Sequence, residues 1–160
     1  MINIRIVYVG KLKERFYIDA ANEYSKRLGG YCKMDIVNIS EHRLPEKPSA
    51  LQIAKAQEKE RDAIREKLLS RATAVALCVE GLEMNSRELS EFLSRCAANR
   101  VQRLCFIIGG SYGLHEDIKS ASVLRLSLSK MTLPHNLAQV VLLEQLYRAF
   151  TIAEGGKYHK

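Results

Sequence analysis

The sequence predicts an α/β domain built on a mostly parallel sheet sandwiched by helices. Three observations carry that expectation. Strand-like and helix-like segments alternate along the chain, the inner strand-like segments are short apolar runs, and several of them stop at glycine. Alternating strands and helices give parallel pairing through helical crossovers, and a strand covered on both faces loses the polar alternation of a surface sheet. The chain has 160 residues and a mass of 18.1 kDa, enough for one core, so residues 1–160 are expected to form a single domain.

The first strand is expected over Ile2 to Val9, rich in β-branched residues and closed by Gly10. Lys11 to Leu28 follows as a helix, with Leu12, Phe16, Ala20, Tyr24 and Leu28 four apart on one face and Gly29-Gly30 as its stop. Met34 to Ile39 alternates as a second strand, and Glu41 to Pro48, with two prolines, is a loop. Ser49 is placed to cap a long helix reaching about Arg71, whose mixed-charge middle reads as a solvated face. Thr73 to Val79 is a short buried strand ended by Glu80-Gly81. Asn85 and Glu88 form a capping box for a helix with Leu89, Phe92, Leu93 and Cys96 on its core face. Arg103 to Ile108 is the next buried strand, broken at Gly109-Gly110. A short helix over Glu116 to Ser122, a strand over Val123 to Leu128 and a break at Pro134 complete the pattern. Asn136 then caps a helix running to about Ala153. Most of that helix is apolar, so it needs two burial partners, and one of them can be a second subunit.

Composition excludes several classes. The apolar share of 47% and charged share of 27% belong to a globular chain rather than a disordered one. No apolar run approaches the length that spans a bilayer, and the amino terminus lacks the features of a secretory signal, so a cytoplasmic protein is expected. Basic residues outnumber acidic ones by 25 to 18, a net charge of +7, which favours a polyanionic partner such as nucleic acid. The excess lies at the two ends: residues 1–48 hold nine basic and six acidic groups and residues 101–160 seven and four, against nine and eight between them. Cys32, Cys78, Cys96 and Cys105 are too far apart in sequence for a metal knuckle or redox pair and read as free thiols; no metal is expected.

The sharpest chemical feature is the strand–glycine–helix turn Phe106 to Asp117 (FIIGGSYGLHED). Glycine after a parallel strand lets backbone approach a ligand, and in open parallel sheets ligands sit off the carboxyl ends of the strands. Leu77 to Gly81, Gly109 to Gly113 and Leu128 to Leu133 are therefore expected to converge on one pocket. Gly109 to Gly113 (GGSYG) also matches the hydrolase elbow literally. Ser111 would be its nucleophile, Asp117 or Glu144 its acid and His135 or His159 its base, but the chain is short of strands for that fold and has no oxyanion-hole segment. Ser127 to His135 reads either as a nucleoside-holding loop or as an ordinary connection.

Five segments, Gly10 to Glu14 (GKLKE), Phe106 to Leu114 (FIIGGSYGL), Ser127 to His135 (SLSKMTLPH), Glu144 to Ala149 (EQLYRA) and the terminal Tyr158-His159-Lys160, lie in matching order along the whole chain. Together they resemble the small SPOUT-class methyltransferases of bacterial large-subunit rRNA. The resemblance implies a C-terminal trefoil knot, which pattern reasoning would not propose because true knots are nearly absent from proteins. It also implies a homodimer and transfer of a methyl group from S-adenosyl-L-methionine to N3 of a pseudouridine in 23S rRNA on the assembled ribosome. By position, cofactor contacts fall on Leu77, Gly109, Leu128, Ser129, Lys130, Met131, Thr132 and Leu133. The acidic residue associated with the family just after the first contact is Cys78 here, which leaves the backbone as the expected contact at that point.

The implied reaction needs the N3 proton, weakly acidic, to be removed. His159 has a suitable intrinsic pKa for that step or contacts RNA, Arg148 can steady the negative charge on the ring, and Tyr158 can stack on the base or bond to it; His135 is the second histidine candidate. Two other readings remain: a non-enzymatic ribosome-binding factor using the same basic surface, and the small serine hydrolase built on Ser111.

Overall fold

The computed structural model describes residues 1–158. Its elements run β1 (Asn3–Val9), α1 (Arg15–Leu28), β2 (Lys33–Ile39), α2 (Ala50–Lys67), β3 (Thr73–Glu83), α3 (Ser86–Ala98), β4 (Arg103–Ile108), α4 (Glu116–Ala121), β5 (Leu124–Ser127) and α5 (His135–Ala153). The strands pair in the order β2-β1-β4-β3-β5 and every pairing is parallel, where the sequence predicts a mostly parallel sheet and no order.

The central strands β1 and β4 lie in register, Ile4 beside Leu104 and Ile6 beside Phe106. Alternate side chains point to opposite faces. Ile4, Ile6, Tyr8, Leu104, Phe106 and Ile108 join a core with Ala21 and Leu28 of α1, Leu89 and Leu93 of α3, and Leu142, Leu143 and Leu146 of α5. Val7, Val9 and Ile107 pack on the other face with Ile64 of α2 and Ile118 of α4. Each such aliphatic side chain contributes on the order of 1.5–3 kcal/mol when fully buried. Polar side chains would forfeit that on one face or the other, which explains the apolar runs Ile6 to Val9 and Leu104 to Ile108.

Helix starts follow the local chemistry. Ser49 and Asn85 each accept the N–H of the residue three along, and Gln52 and Glu88 reach back to the cap N–H, so both helices open with a complete capping box. Three expectations are corrected. The first helix begins at Arg15, and of the predicted stripe Leu28 is buried and Leu12, Ala20 and Tyr24 half-buried, while Phe16 is 65% exposed and Ala21 is buried in its stead. The second helix stops at Lys67, where Leu68 turns to extended backbone. Asn136 does not cap α5: Pro134 holds that place without a side-chain bond, and Asn136, inside the helix, accepts the hydroxyl of the fully buried Tyr8.

The largest departure is β3, which continues past Glu80-Gly81 to Glu83 instead of ending at Val79. Leu77 pairs with Leu126 of β5 and Leu82 pairs with the same residue, so residues 78–81 are looped out between two pairings. Gly81 brings the chain back, at a distance no side chain tolerates: a Cβ there would stand 2.7 Å from the carbonyl carbon and oxygen of Arg125. Gly81→Ala should therefore push β3 and β5 apart and cost about 1–3 kcal/mol in urea denaturation. Gly30→Ala, where the added carbon meets only the Arg27 carbonyl at 3.9 Å, should stay near the native midpoint; equal midpoints for both variants would contradict this packing.

Candidate active site

The looped-out residues of β3 form one wall of a cavity of about 610 Å³ off the carboxyl ends of β3, β4 and β5. That is within the range of about 300–1,000 Å³ typical of small-molecule sites. The three segments expected to converge do so. Leu77 to Glu80, Gly109 to Gly113, and the stretch from Leu126 to Pro134 apart from Lys130 line the space, and Lys119 and His135 complete it. Of the eight expected cofactor positions, Leu77, Gly109, Leu128, Ser129, Met131, Thr132 and Leu133 face the cavity, while Lys130 is not among its lining residues.

Each wall is shaped by short-range bonds. The glycine turn closes with Gly113 N–H donating to Gly110 O at 3.0 Å, and Gly113 sits at φ 77°, a conformation that favours glycine. Gly109 has no positive φ; glycine is needed there for space, because a Cβ would stand 2.9 Å from the Gly113 carbonyl carbon. Behind the turn, Ser111 Oγ donates to Glu41 Oε1 at 3.0 Å and Gln57 Nε2 donates to Tyr112 O at 2.9 Å. The 127–131 segment folds on its own hydroxyls: Ser127 Oγ donates to Ser129 O and Met131 N–H to Ser129 Oγ, both at 3.0 Å. The short hydroxyl residues that left that segment ambiguous in sequence thus build an irregular loop.

The cavity's charged pair is Glu80 and Lys119, 2.5 Å apart. The Lys119 ammonium holds the Glu80 carboxyl below its usual range. Burial pushes the neighbouring Cys78 thiol up, and the Glu80 charge adds to it. His135 packs against β1: its Nε2 lies 3.4 Å from where a Gly10 Cβ would be, and its ring is 5.6 Å from that of Tyr8. Sequence reasoning did not single out Lys119, because nothing in a short helix marks one lysine as turned toward strand ends.

Arg148 and Tyr158 form a second cluster. Glu144 Oε1 accepts Arg148 Nε at 2.9 Å, Arg148 Nη2 at 2.5 Å and Tyr158 Oη at 3.3 Å, and the guanidinium lies 4.6 Å from the Tyr158 ring centre. Burial, then a bond with Tyr24, pushes the Tyr158 phenol up to about 12, so it stays protonated at neutral pH. Tyr147 meets Tyr158 edge-on at 4.8 Å, Tyr31 packs on Tyr147 and Phe150, and Arg27 lies 5.7 Å from the rings of Tyr24 and Tyr147. This aromatic and basic surface extends well beyond the two residues expected from sequence. Ala138, on the cavity wall, and Arg148 are ten residues apart on α5, about 15 Å along the axis. The two clusters of one chain are therefore separate. His159 lies outside the described residues.

Among the described residues no hydrolase triad forms, and the alternative base His159 lies outside them. Ser111 is bonded directly to Glu41 with no imidazole between them. Asp117 is paired with Arg61 and Arg65, Glu144 with Arg148, and His135 is packed on Tyr8.

Comparison with known proteins agrees with this architecture. The family described as "Predicted SPOUT methyltransferase" matches residues 2–159. The ribosomal RNA large subunit methyltransferase H of Clostridium botulinum (strain Alaska E43 / Type E3) is 43% identical over 159 residues, 99% of this chain and 100% of that one. Its counterpart in Streptococcus suis (strain 05ZYH33) is 41% identical over the same shares. Among solved structures, a methylase family protein from Neisseria gonorrhoeae superposes with a TM-score of 0.56 at 17% identity, covering 91% of this chain and 82% of its own. The Legionella pneumophila methyltransferase Lpg2936, solved with bound S-adenosylmethionine, gives 0.50 at 14% identity over 93% and 66%. These two likenesses are of fold alone. The match across nearly the whole length, on a parallel sheet whose strand ends enclose the cavity, establishes that the chain belongs to the SPOUT methyltransferase family.

Proposed function

We propose that the protein is an S-adenosylmethionine-dependent methyltransferase acting on N3 of a pseudouridine in 23S rRNA, on assembled ribosomes. The observation that carries this reading is the convergence of three strand ends on one nucleoside-sized cavity in a chain of this family. A ribosome-binding factor without enzymatic activity would have no use for such a cavity. The residues present suit the cofactor: apolar walls at Leu77, Ile108 and Leu133 for an adenine ring, a hydroxyl-braced loop with open backbone groups at 128–133, and one ion pair. When bound, S-adenosylmethionine supplies a methyl group activated by its sulfonium. The protein's task is to hold the target base in line with that methyl and to handle the N3 proton.

Roles follow from chemistry. Arg148, with two of its N–H groups on Glu144, keeps others to meet an oxygen of the target ring as negative charge develops. Tyr158, neutral at pH 7, donates or stacks but does not take the proton. That leaves the proton to His159, with His135 on the cavity wall as the second candidate. Arg148 and Tyr158 stand farther from the cavity of their own chain than one base can bridge, so the reading requires a second copy. Two chains joined through α5, whose part-exposed Leu137, Val140 and Val141 belong to neither core cluster, would bring one chain's Arg148 toward the other's cavity. The reading takes residues 1–160 as one domain with the family's trefoil knot in its C-terminal half. Localisation in the cytoplasm follows from a ribosomal substrate, and no helix among the described residues is long and apolar enough to cross a membrane.

Incubation with labelled S-adenosylmethionine and ribosomes lacking the modification should place the label on one pseudouridine of 23S rRNA; no transfer to any rRNA would remove the proposal. Deleting residues 158–160 should leave cofactor affinity in calorimetry nearly unchanged and reduce single-turnover transfer at least about a hundredfold, the scale of a lost acid–base group with its positioning contacts. Full activity of the truncated chain would return the tail to a frayed end.

The native protein should sediment as a dimer and Val141→Glu as a monomer, because a carboxylate in an apolar helix interface has no partner. A monomeric native protein would remove the shared-site arrangement.

A further inference from the structure

We propose that the Glu80–Lys119 pair is the ribose-recognition element of the cavity, with Glu80 accepting the vicinal hydroxyls of the cofactor's ribose and Lys119 holding Glu80 in place. The inference rests on the cofactor reading above. Among the described residues lining the cavity, Glu80 is the one carboxylate. It arrives there because β3 loops out over residues 78–81 between its two pairings with Leu126. In a strand that ended at Val79, this side chain would belong to a surface turn.

The pair is asymmetric. The Lys119 side chain is 16% exposed and that of Glu80 56%, so the ammonium is walled in behind an open carboxylate. Lys119 occupies one site on Oε1, and an ionised carboxylate offers about four. Its own backbone N–H and the Cys78 thiol also bear on the carboxylate, which still leaves lone pairs open, and a carboxyl held below its usual range stays an acceptor at neutral pH. An acceptor-only group with free lone pairs suits donors, and a nucleoside cofactor presents two adjacent ones on its ribose. Acidic side chains near the carboxyl ends of parallel strands serve nucleoside ribose in the same way in dinucleotide folds.

The charge balance separates this role from an electrostatic one. The carboxylate is already compensated at 2.5 Å by Lys119, so the pair is close to neutral and offers little to attract the sulfonium or the cofactor's ammonium. Hydroxyl donors need direction rather than net charge, and the lysine fixes that direction. The pair also ties α4 to β3, a structural duty that any test has to separate from ligand recognition.

Calorimetry on the full chain separates them. S-adenosylmethionine, S-adenosylhomocysteine and the 2′,3′-dideoxy analogue of the latter are titrated into native protein and Glu80→Ala. The exposed position of Glu80 makes the variant foldable, and its urea midpoint checks this. The expected result is an equal loss, about tenfold, for the two ribose-bearing ligands, as for a hydrogen bond to a charged group. The dideoxy analogue should bind native protein weakly and lose nothing further in the variant. An unchanged affinity, the same loss for the dideoxy analogue, or a loss confined to S-adenosylmethionine would overturn the assignment. Native protein that binds none of the three would overturn the cofactor reading and this inference with it, whereas native binding with an insensitive Glu80→Ala overturns this inference alone.

Discussion

Because β1 and β4 are covered on both faces, by α1, α3 and α5 on one side and α2 and α4 on the other, neither strand can reverse or slip by a residue without turning buried aliphatic groups to the wrong layer. That two-sided burial makes the sheet parallel, since helical crossovers are what cover its faces. A parallel sheet sends all its carboxyl ends to one edge. The turn after β4, the excursion of β3 and the loop after β5 therefore have to meet, and the cavity follows from the burial of strands that barely touch it.

Within that frame, two glycines set the shape of the site through space rather than flexibility. Gly81 admits the backbone of β5 and so allows residues 78–81 to leave the sheet and return, and Gly109 admits the backbone of its own turn. The polar groups are few and each is held from behind: Ser111 by Glu41, Tyr112 by Gln57, Glu80 by Lys119, and the 127–131 loop by its own hydroxyls. Groups fixed before a ligand arrives lose little freedom on binding, which favours a pre-formed site over one that closes around its ligand.

Helix α5 runs between the cavity and the Arg148 cluster. Its first turns wall the cavity through His135 and Ala138, and its later turns carry Glu144, Tyr147 and Arg148 into an aromatic and basic surface shared with α1. Leu142, Leu143, Leu146 and Ala149 anchor it in the core. The helix is apolar beyond what that one contact requires, and the proposed second copy accounts both for the surplus and for the separation of the two clusters.

The sequence by itself determined the α/β class, the number and order of the elements, the cap at Ser49, the capping box at Asn85 and the three segments that enclose the cavity. These depend on local periodicity, on glycine after strands and on short-range bonds such as Ser49 with Gln52 and Asn85 with Glu88. Resemblance to a known family added the expected cofactor positions, and all but Lys130 line the cavity. Only the tertiary structure decided the rest. It set the face of α1 that is buried, because the helix register is fixed by what α5 presents to it; Phe16 lies on the predicted stripe yet is exposed. It carried β3 past Val79, because the close approach of Gly81 to Arg125 is a contact between residues 44 positions apart that no local window contains. It brought Lys119 to Glu80 and Tyr24, Tyr31 and Arg27 to the Arg148 cluster for the same reason: long-range proximity is set by how layers stack, not by the spacing of residues along the chain.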